Sequence, residues 1–310
     1  MLPVVAVDLG GTNLRAAYFP TGQPPAERTL RIPTHADSGP QAVLATMVEA
    51  IRDLTGPAPA PGLRVSVAAP GPLDPDSGVI FDAPNLPGWK NVPLRAHLEE
   101  KLGWVVRVGN DANLAALGEW RYGAGQAVDH LVYLTISTGI GGGVIIGGRL
   151  LTGATGLAGE LGHFPVRPGG PICSCGKAGH LEAVASGTAI ARRARELMQT
   201  GEKTTIQEAA DSESVASAAH QGDPLARRVL NEAGEALGLA LVGFVHVFNP
   251  QRIILGGGVV RSGDVFLEPA RRVLRTEIMN PAFLEGLEVV TAALGDDSGL
   301  MGALVLAGMP

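Results

Sequence analysis

Apolar and polar positions follow two periods along the chain. Residues 3–9 are β-branched and apolar, Gly10-Gly11-Thr12 breaks the run, and 13–19 resumes it, which predicts a β-hairpin with a glycine-rich tip. A third strand is expected over 26–32. Residues 41–54 carry Val43, Leu44, Met47, Val48 and Ile51 at helical spacing, 63–69 read as a buried strand stopped by Pro70-Gly71-Pro72, 92–102 as a helix and 104–108 as a strand. The second half opens in the same way, with a strand at 131–137, a glycine-rich turn at 138–143 and a returning strand at 144–146. Further on, helices are predicted over 187–199, 205–210, 213–220, 224–248, 264–279 and 298–306, the last with Ser298 as N-cap, and strands over 252–255 and 288–292. Alternating strands and helices put the chain in the α/β class.

The two openings share a pattern. Val4-Val-Ala-Val-Asp-Leu-Gly-Gly-Thr-Asn-Leu-Arg and Val132-Tyr-Leu-Thr-Ile-Ser-Thr-Gly-Ile-Gly-Gly-Gly are both apolar strands entering a small-residue bend. The pattern suggests two related halves whose bends face a shared cleft. A length of 310 residues agrees, at about 150 residues per domain.

Composition narrows the function classes. Apolar residues at 45% and charged residues at 17% exclude a disordered chain. A net charge of −6 argues against a nucleic-acid surface. No basic, apolar leader precedes Asp8, and the apolar run 236–248 is too short to span a bilayer. Cys173 and Cys175 are the only cysteines and lie too close for an unstrained bridge, so a reducing, cytoplasmic setting and metal ligation are expected.

The candidate chemistry is phosphate binding. The Gly-x-Gly pairs at 123/125, 139/141, 141/143 and 256/258 are followed by Val128, Val144, Ile146 and Arg261 where a dinucleotide fingerprint needs glycine, and there is no Walker loop. The bend Asp8-Leu-Gly10-Gly11-Thr12-Asn13 instead lets backbone N–H groups approach phosphate, with Thr12 and Asn13 as polar contacts and Asp8 placed to hold Mg2+ through water. Thr138 and Gly139 in the second bend are expected to grip the polyphosphate from the other side, and Gly256, Gly257 and Gly258 to admit a base or ribose. His163, Cys173, Cys175 and His180 fall within 18 residues and suit a closed tetrahedral Zn2+ site. A three-ligand site completed by water, or two buried thiols with no metal, are the alternatives.

Four motifs together resemble the ROK family of sugar kinases and repressors, and within it bacterial ATP-dependent glucokinases. They are Asp-x-Gly-Gly-Thr-x-x-Arg at 8–15, Gly-Asn-Asp-Ala-Asn at 109–113, Gly-Glu-x-Gly-His at 159–163 and Cys-x-Cys-Gly-x-x-Gly at 173–179. The resemblance covers nearly the whole chain. It implies an actin-like, hexokinase-type (ribonuclease H-like) duplicated α/β fold, with a small domain of 1–108 plus 298–310 and a larger one of 109–297 around a cleft. It also implies phosphorylation of a hexose by ATP with Mg2+, glucose at the 6-hydroxyl first, with Asp111 as general base and Asn110, Glu160, His163 and Glu182 on the sugar hydroxyls beside Gly71 and Asn85. His163 would bind zinc through one ring nitrogen and a hydroxyl through the other. The family usually has Cys where this chain has His180. Fructose, allose, N-acetylmannosamine and N-acetylglucosamine are the alternative substrates, and the resemblance also implies a homodimer or homotetramer. A sugar-sensing repressor is disfavoured, because the expected hairpin begins within ten residues of Met1 and leaves no room before it for a DNA-binding module.

Overall fold

The structure, a computed structural model, describes residues 2–207 and 210–309. Its first half contains β1 (Val4–Leu9), β2 (Asn13–Phe19), β3 (Arg28–Pro33), α1 (Pro40–Thr55), β4 (Arg64–Ala69), β5 (Leu73–Asp74), β6 (Val79–Asp82), β7 (Lys90–Pro93), α2 (Leu94–Leu102), β8 (Val105–Asn110) and α3 (Asp111–Tyr122). Its second half contains β9 (Leu131–Ile136), β10 (Ile140–Ile146), β11 (Arg149–Leu150), α4 (Leu181–Ala185), α5 (Gly187–Gln199), α6 (Ser212–His220), α7 (Pro224–Phe248), β12 (Arg252–Gly256), α8 (Asp264–Glu277), β13 (Glu288–Thr291) and α9 (Ser298–Gly308).

Two five-stranded sheets carry the duplication. Their orders are β3-β2-β1-β4-β8 and β11-β10-β9-β12-β13. In each, an antiparallel meander (β1 with β2 and β3; β9 with β10 and β11) continues into two parallel strands. This is the actin-like, hexokinase-type arrangement, and each parallel crossover passes through helices, as a parallel pair requires. A third sheet, β5-β6-β7, has strands of two to four residues and no sustained period, and pattern reading gave no sign of it.

Both faces of β1 are covered, and alternation sorts its residues between them. Val5, Val7 and Leu9 pack with α1 and α2 residues such as Met47, Ile51 and Leu98, whereas Val4 and Ala6 join Leu114 and Leu117 of α3 and Ala303 and Leu304 of α9. That second cluster also holds Leu131, Tyr133, Ile145 and Ile254, so it joins the two sheets. The helices of the second half enclose the largest core around Leu134, Leu230, Leu237 and Phe266.

α3 and α9 cross at van der Waals limits. A Cβ on Gly118 would stand 2.3 Å from the Ser298 carbonyl oxygen, and one on Gly302 only 1.6 Å from that of Leu114. β10 lies against α3 by the same device, since a Cβ on Gly141 or Gly143 would come within 2.7 or 2.6 Å of the Ala112 or Ala116 methyl group.

Several elements depart from expectation for identifiable reasons. The turn predicted over 138–143 is confined to the residues between Ile136 and Ile140, and Gly141, Gly142 and Gly143 lie within β10 because α3 and Leu161 leave no space for side chains. Val92 belongs to β7 and α2 starts at Leu94, since the residue before Pro93 is driven to an extended backbone. The helix expected over 205–210 is absent at 205–207, where the Asp223 carboxylate accepts from Thr204, Thr205 and the Thr205 backbone; 208–209 lie outside the described residues. Ser298 is the first residue of α9, whose N-cap is Asp297, and its hydroxyl donates to Glu119 and to the Gly295 carbonyl.

Gly302→Ala is expected to destabilise the chain by about 1–3 kcal/mol or more, because the new methyl meets the α3 backbone at Leu114. Gly308→Ala, in the same helix with open space around it, is expected to lose nothing. Thermal or denaturant unfolding of the two variants checks the contrast.

Candidate active site

β8 delivers its C-terminal end, Gly109-Asn110, to the start of α3. Asn110 does two things there. Its Oδ1 accepts from the Asn113 backbone N–H (3.0 Å), capping α3, and its Nδ2 donates to the Gly71 carbonyl (3.3 Å). Asp111 occupies the first helical position, with Oδ1 accepting from the Ala112 N–H at 2.8 Å. Gly71 has φ +84°, and a Cβ would lie 2.0 Å from the Asp82 carbonyl oxygen, so only glycine fits.

Two cavities meet at Asp111. One, of about 740 Å³, is lined by Gly71, Asn85, Asn110, Asp111, Glu160, His163 and Glu182, among others. The other, of about 600 Å³, is lined by Asp8, Asp111, Gly256, Gly257, Gly258 and Asp296, among others. Asp111, Ala112, Thr135 and Ser137 border both. A groove of about 370 Å³ lies beside them and includes Thr138, Thr188, Arg195, Ser212 and Gly258. Gly257 reaches the second cavity with φ +90°, where a Cβ would lie 2.3 Å from the Ile136 carbonyl oxygen.

Thr138 and Gly139, expected on the nucleotide, line the larger cavity, and Thr138 also lines the groove. Gly10, Gly11, Thr12 and Asn13 form the β1–β2 bend but border neither cavity; the Gly10 N–H donates to the Asn13 carbonyl, and the Thr12 carbonyl accepts from Thr34. The bend does approach the larger cavity, because a Cβ on Gly11 would be 2.9 Å from the Asn85 carbonyl oxygen.

Negative charge is concentrated where the cavities meet. Burial, with Asp8 and Glu160 adding repulsion, pushes the Asp111 carboxyl up to about 7 despite the Ala112 N–H. Burial also lifts Asp8 to about 6, helped by Asp296 and Asp297 and opposed by Arg15. Arg15 itself bonds the Asp296 carbonyl and the Asp297 carboxylate, tying β2 to the start of α9. Glu160 is raised by burial and by Glu182, against His163.

Glu182 connects three segments. Its Oε2 accepts from the Ile140 N–H (3.0 Å), and its Oε1 accepts from the Ser174 hydroxyl (2.8 Å) and the Cys173 thiol (3.4 Å). Beside it, ligand atoms of His163, Cys173, Cys175 and His180 all lie within 4.8 Å of one another. Cys173 Sγ is 3.5 Å from His163 Nδ1, and Cys175 Sγ is 3.3 Å from His180 Nδ1. Edges of a tetrahedral Zn2+ site with such ligands are roughly 3.3–3.8 Å, so two thiols and two imidazoles at this spacing suit the ion, His180 included. His163 Nε2 faces the other way, 3.8 Å from Glu160 Oε2.

Thr135, Ser137, Tyr133 and Asp296 also line the second cavity and were not singled out from sequence. Thr135 and Ser137 left a faint signal as polar residues at alternate positions of an apolar strand. Asp296 left none, because its neighbour Asp8 is remote in sequence.

The ROK family model matches residues 4–309. The chain is 39% identical over 308 residues to the glucokinase of Thermotoga maritima, covering 97% of this chain and 96% of that protein. The ROK hexokinase from Thermus thermophilus superposes with a TM-score of 0.85 at 38% identity, over 99% of this chain and 98% of that one. A ROK family glucokinase from Streptomyces griseus, solved in complex with glucose and AMPPNP, gives a TM-score of 0.82 at 32% identity over 99% of both chains. With motifs, duplicated sheets and full-length similarity in agreement, the chain belongs to the ROK family.

Proposed function

We propose that this sugar kinase transfers the γ-phosphoryl group of ATP to the 6-hydroxyl of D-glucose, with Asp111 as the general base. The observation that carries the reading is that one carboxylate borders both cavities, where an acceptor hydroxyl in one meets a phosphoryl donor in the other. On this reading residues 1–108 with 298–310 form one wall of the cleft and 109–297 the other.

In-line transfer requires the hydroxyl to be oriented and its proton accepted. Asp111 accepts it, and a carboxyl held at about 7 does so near neutral pH and not in acid. Asn110, Glu160, His163 and Glu182 hold the sugar hydroxyls, with Gly71 and Asn85 opposite. Gly256, Gly257 and Gly258 let the nucleotide approach backbone, and the groove beyond Gly258 takes the base. Gly10, Gly11, Thr12, Asn13, Thr138 and Gly139 close on the phosphates. The Asp8 carboxylate accepts no hydrogen bond from the described residues and, facing the cavity beside Gly299, fits a hydrated cation. Mg2+ held there supplies positive charge against the phosphates.

His163, Cys173, Cys175 and His180 would hold Zn2+. Zinc supplies a fixed crosslink there and takes no part in transfer. His163 Nδ1, which faces Cys173 Sγ, would go to the metal, and Nε2 would be left for the sugar.

ADP release over a panel of hexoses and N-acetylhexosamines tests the substrate. Glucose is expected to give the highest kcat/KM; a higher value for N-acetylmannosamine or fructose would reassign the sugar and leave the chemistry standing. In the same assay Asp111→Asn is expected to fold and to lose about 10²–10⁴-fold in kcat.

The raised carboxyl also predicts a pH dependence. Wild-type kcat/KM for the sugar should climb as pH rises through about 7, where the base ionises. Stability runs the other way. Folded Asp111 keeps a proton that the unfolded chain releases near pH 3.8, so ionisation weakens the fold as pH rises from there to about 7. Asp111→Asn should therefore melt higher than wild type at about pH 8 and alike at about pH 4.

Metal analysis is expected to return one zinc per chain, and Cys173→Ser to lose the metal and weaken sugar binding. A full zinc content in that variant would argue against Cys173 as a ligand.

A further inference from the structure

The Gly123-x-Gly125 pair takes no part in the site described above, yet Gly123 lies against a fully buried carboxylate. Glu119 is 0% exposed. A Cβ on Gly123 would lie 2.1 Å from Glu119 Oε2, and one on Gly125 would lie 2.7 Å from the Trp120 Cα. Gly123 leaves room for the Glu119 head group, and Gly125 lets the chain pass close over the α3 backbone at Glu119 and Trp120.

Each oxygen of that head group accepts two hydrogen bonds. Oε2 takes the Ala124 N–H (2.8 Å) and the Ala293 N–H (3.0 Å). Oε1 takes the Leu294 N–H (2.8 Å) and the Ser298 hydroxyl (2.9 Å). Three of the four donors belong to 293–298, the link between β13 and α9. A buried carboxylate is tolerated only when so satisfied, and charge-assisted bonds of this kind are strong. Without Glu119, the Ala293 and Leu294 N–H groups would lose their acceptor.

The segment held in this way forms one side of the second cavity. Thr291, Ala292, Gly295, Asp296, Ser298 and Gly299 all border it. Glu119 grips the segment from α3, and Arg15 grips it from β2. Asp111 stands on α3 as well, eight residues earlier, which is about 12 Å along the axis. A single rigid helix therefore carries the proposed base at its start and anchors the nucleotide wall near its end.

We propose that Glu119 is a positioning residue for the phosphoryl donor: through the 293–298 link it fixes the height of the nucleotide wall relative to Asp111. The inference rests on the reading that this cavity takes the nucleotide. It assigns Glu119 no contact with either substrate. The wall of the larger cavity is built from other segments, so sugar affinity should not follow.

The test uses the full chain with AMPPNP and D-glucose as probes, by titration calorimetry, alongside KM values for ATP and glucose. Glu119→Gln replaces one acceptor oxygen with a donor facing two N–H or O–H groups. It is expected to weaken AMPPNP binding by about tenfold or more and to raise the KM for ATP similarly, while the glucose affinity stays within about twofold. Gly123→Ala, which displaces the same carboxylate without touching either cavity, should give the same split at smaller size and serves if Glu119→Gln does not fold. Equal losses for both ligands would mark Glu119 as a structural residue only and overturn the proposal. So would unchanged AMPPNP binding in variants whose wild type binds both ligands. A wild type that binds glucose but not AMPPNP would instead remove the nucleotide reading beneath it.

Discussion

The close crossing of α3 over α9 is the constraint on which the site depends. Gly118 and Gly302 bring the two backbones together, and no residue with a Cβ can replace Gly302 without moving one helix. Each helix begins at the cavities, α3 with Asp111 and α9 beside Asp296 and Gly299. Their separation therefore sets the distance between the two cavities. The mixed cluster around them includes residues from both five-stranded sheets, so the crossing is also where the two halves of the duplicated fold are joined.

Electrostatics at the junction follow from that geometry. The same packing that places Asp111 and Asp8 on one cavity leaves them half-buried and sets them against further carboxylates. Repulsion of this kind weakens the apo fold and is relieved by a cation or by proton uptake. Arg15 offsets part of it while pinning the start of α9. Glu182 plays a comparable connecting part on the opposite wall, bonded at once to the start of β10 and to the cysteine loop, so the candidate metal site and the larger cavity share one anchor.

Glycine was the least faithful guide in the sequence. Gly141, Gly142 and Gly143 read as a turn and are a strand, because the absence of a side chain there answers to α3 and Leu161, not to chain reversal. Gly123 and Gly125 read as a failed phosphate motif; Gly123 makes room for a buried carboxylate and Gly125 for a close pass over the α3 backbone. Gly10 and Gly11 do form a bend, yet neither cavity is bordered by them. A glycine records that space is short or that the backbone is unusual; it does not record which neighbour is responsible.

Features that depend on near neighbours were legible along the chain. Periodicity marked α1, α5 and α7 and the β1–β2 hairpin, since burial of one face repeats within a few residues. The repeated strand-and-bend pattern foretold two like sheets, and the tight spacing of Cys173, Cys175 and His180 foretold their cluster. What distant segments do together was readable only in three dimensions. Asp8 beside Asp296, Glu119 beneath Ala293 and Leu294, and one carboxylate facing two cavities are consequences of helix crossing and strand order. Such contacts leave no period along the chain, because the residues that meet are separated by many elements and are joined only when the cores close.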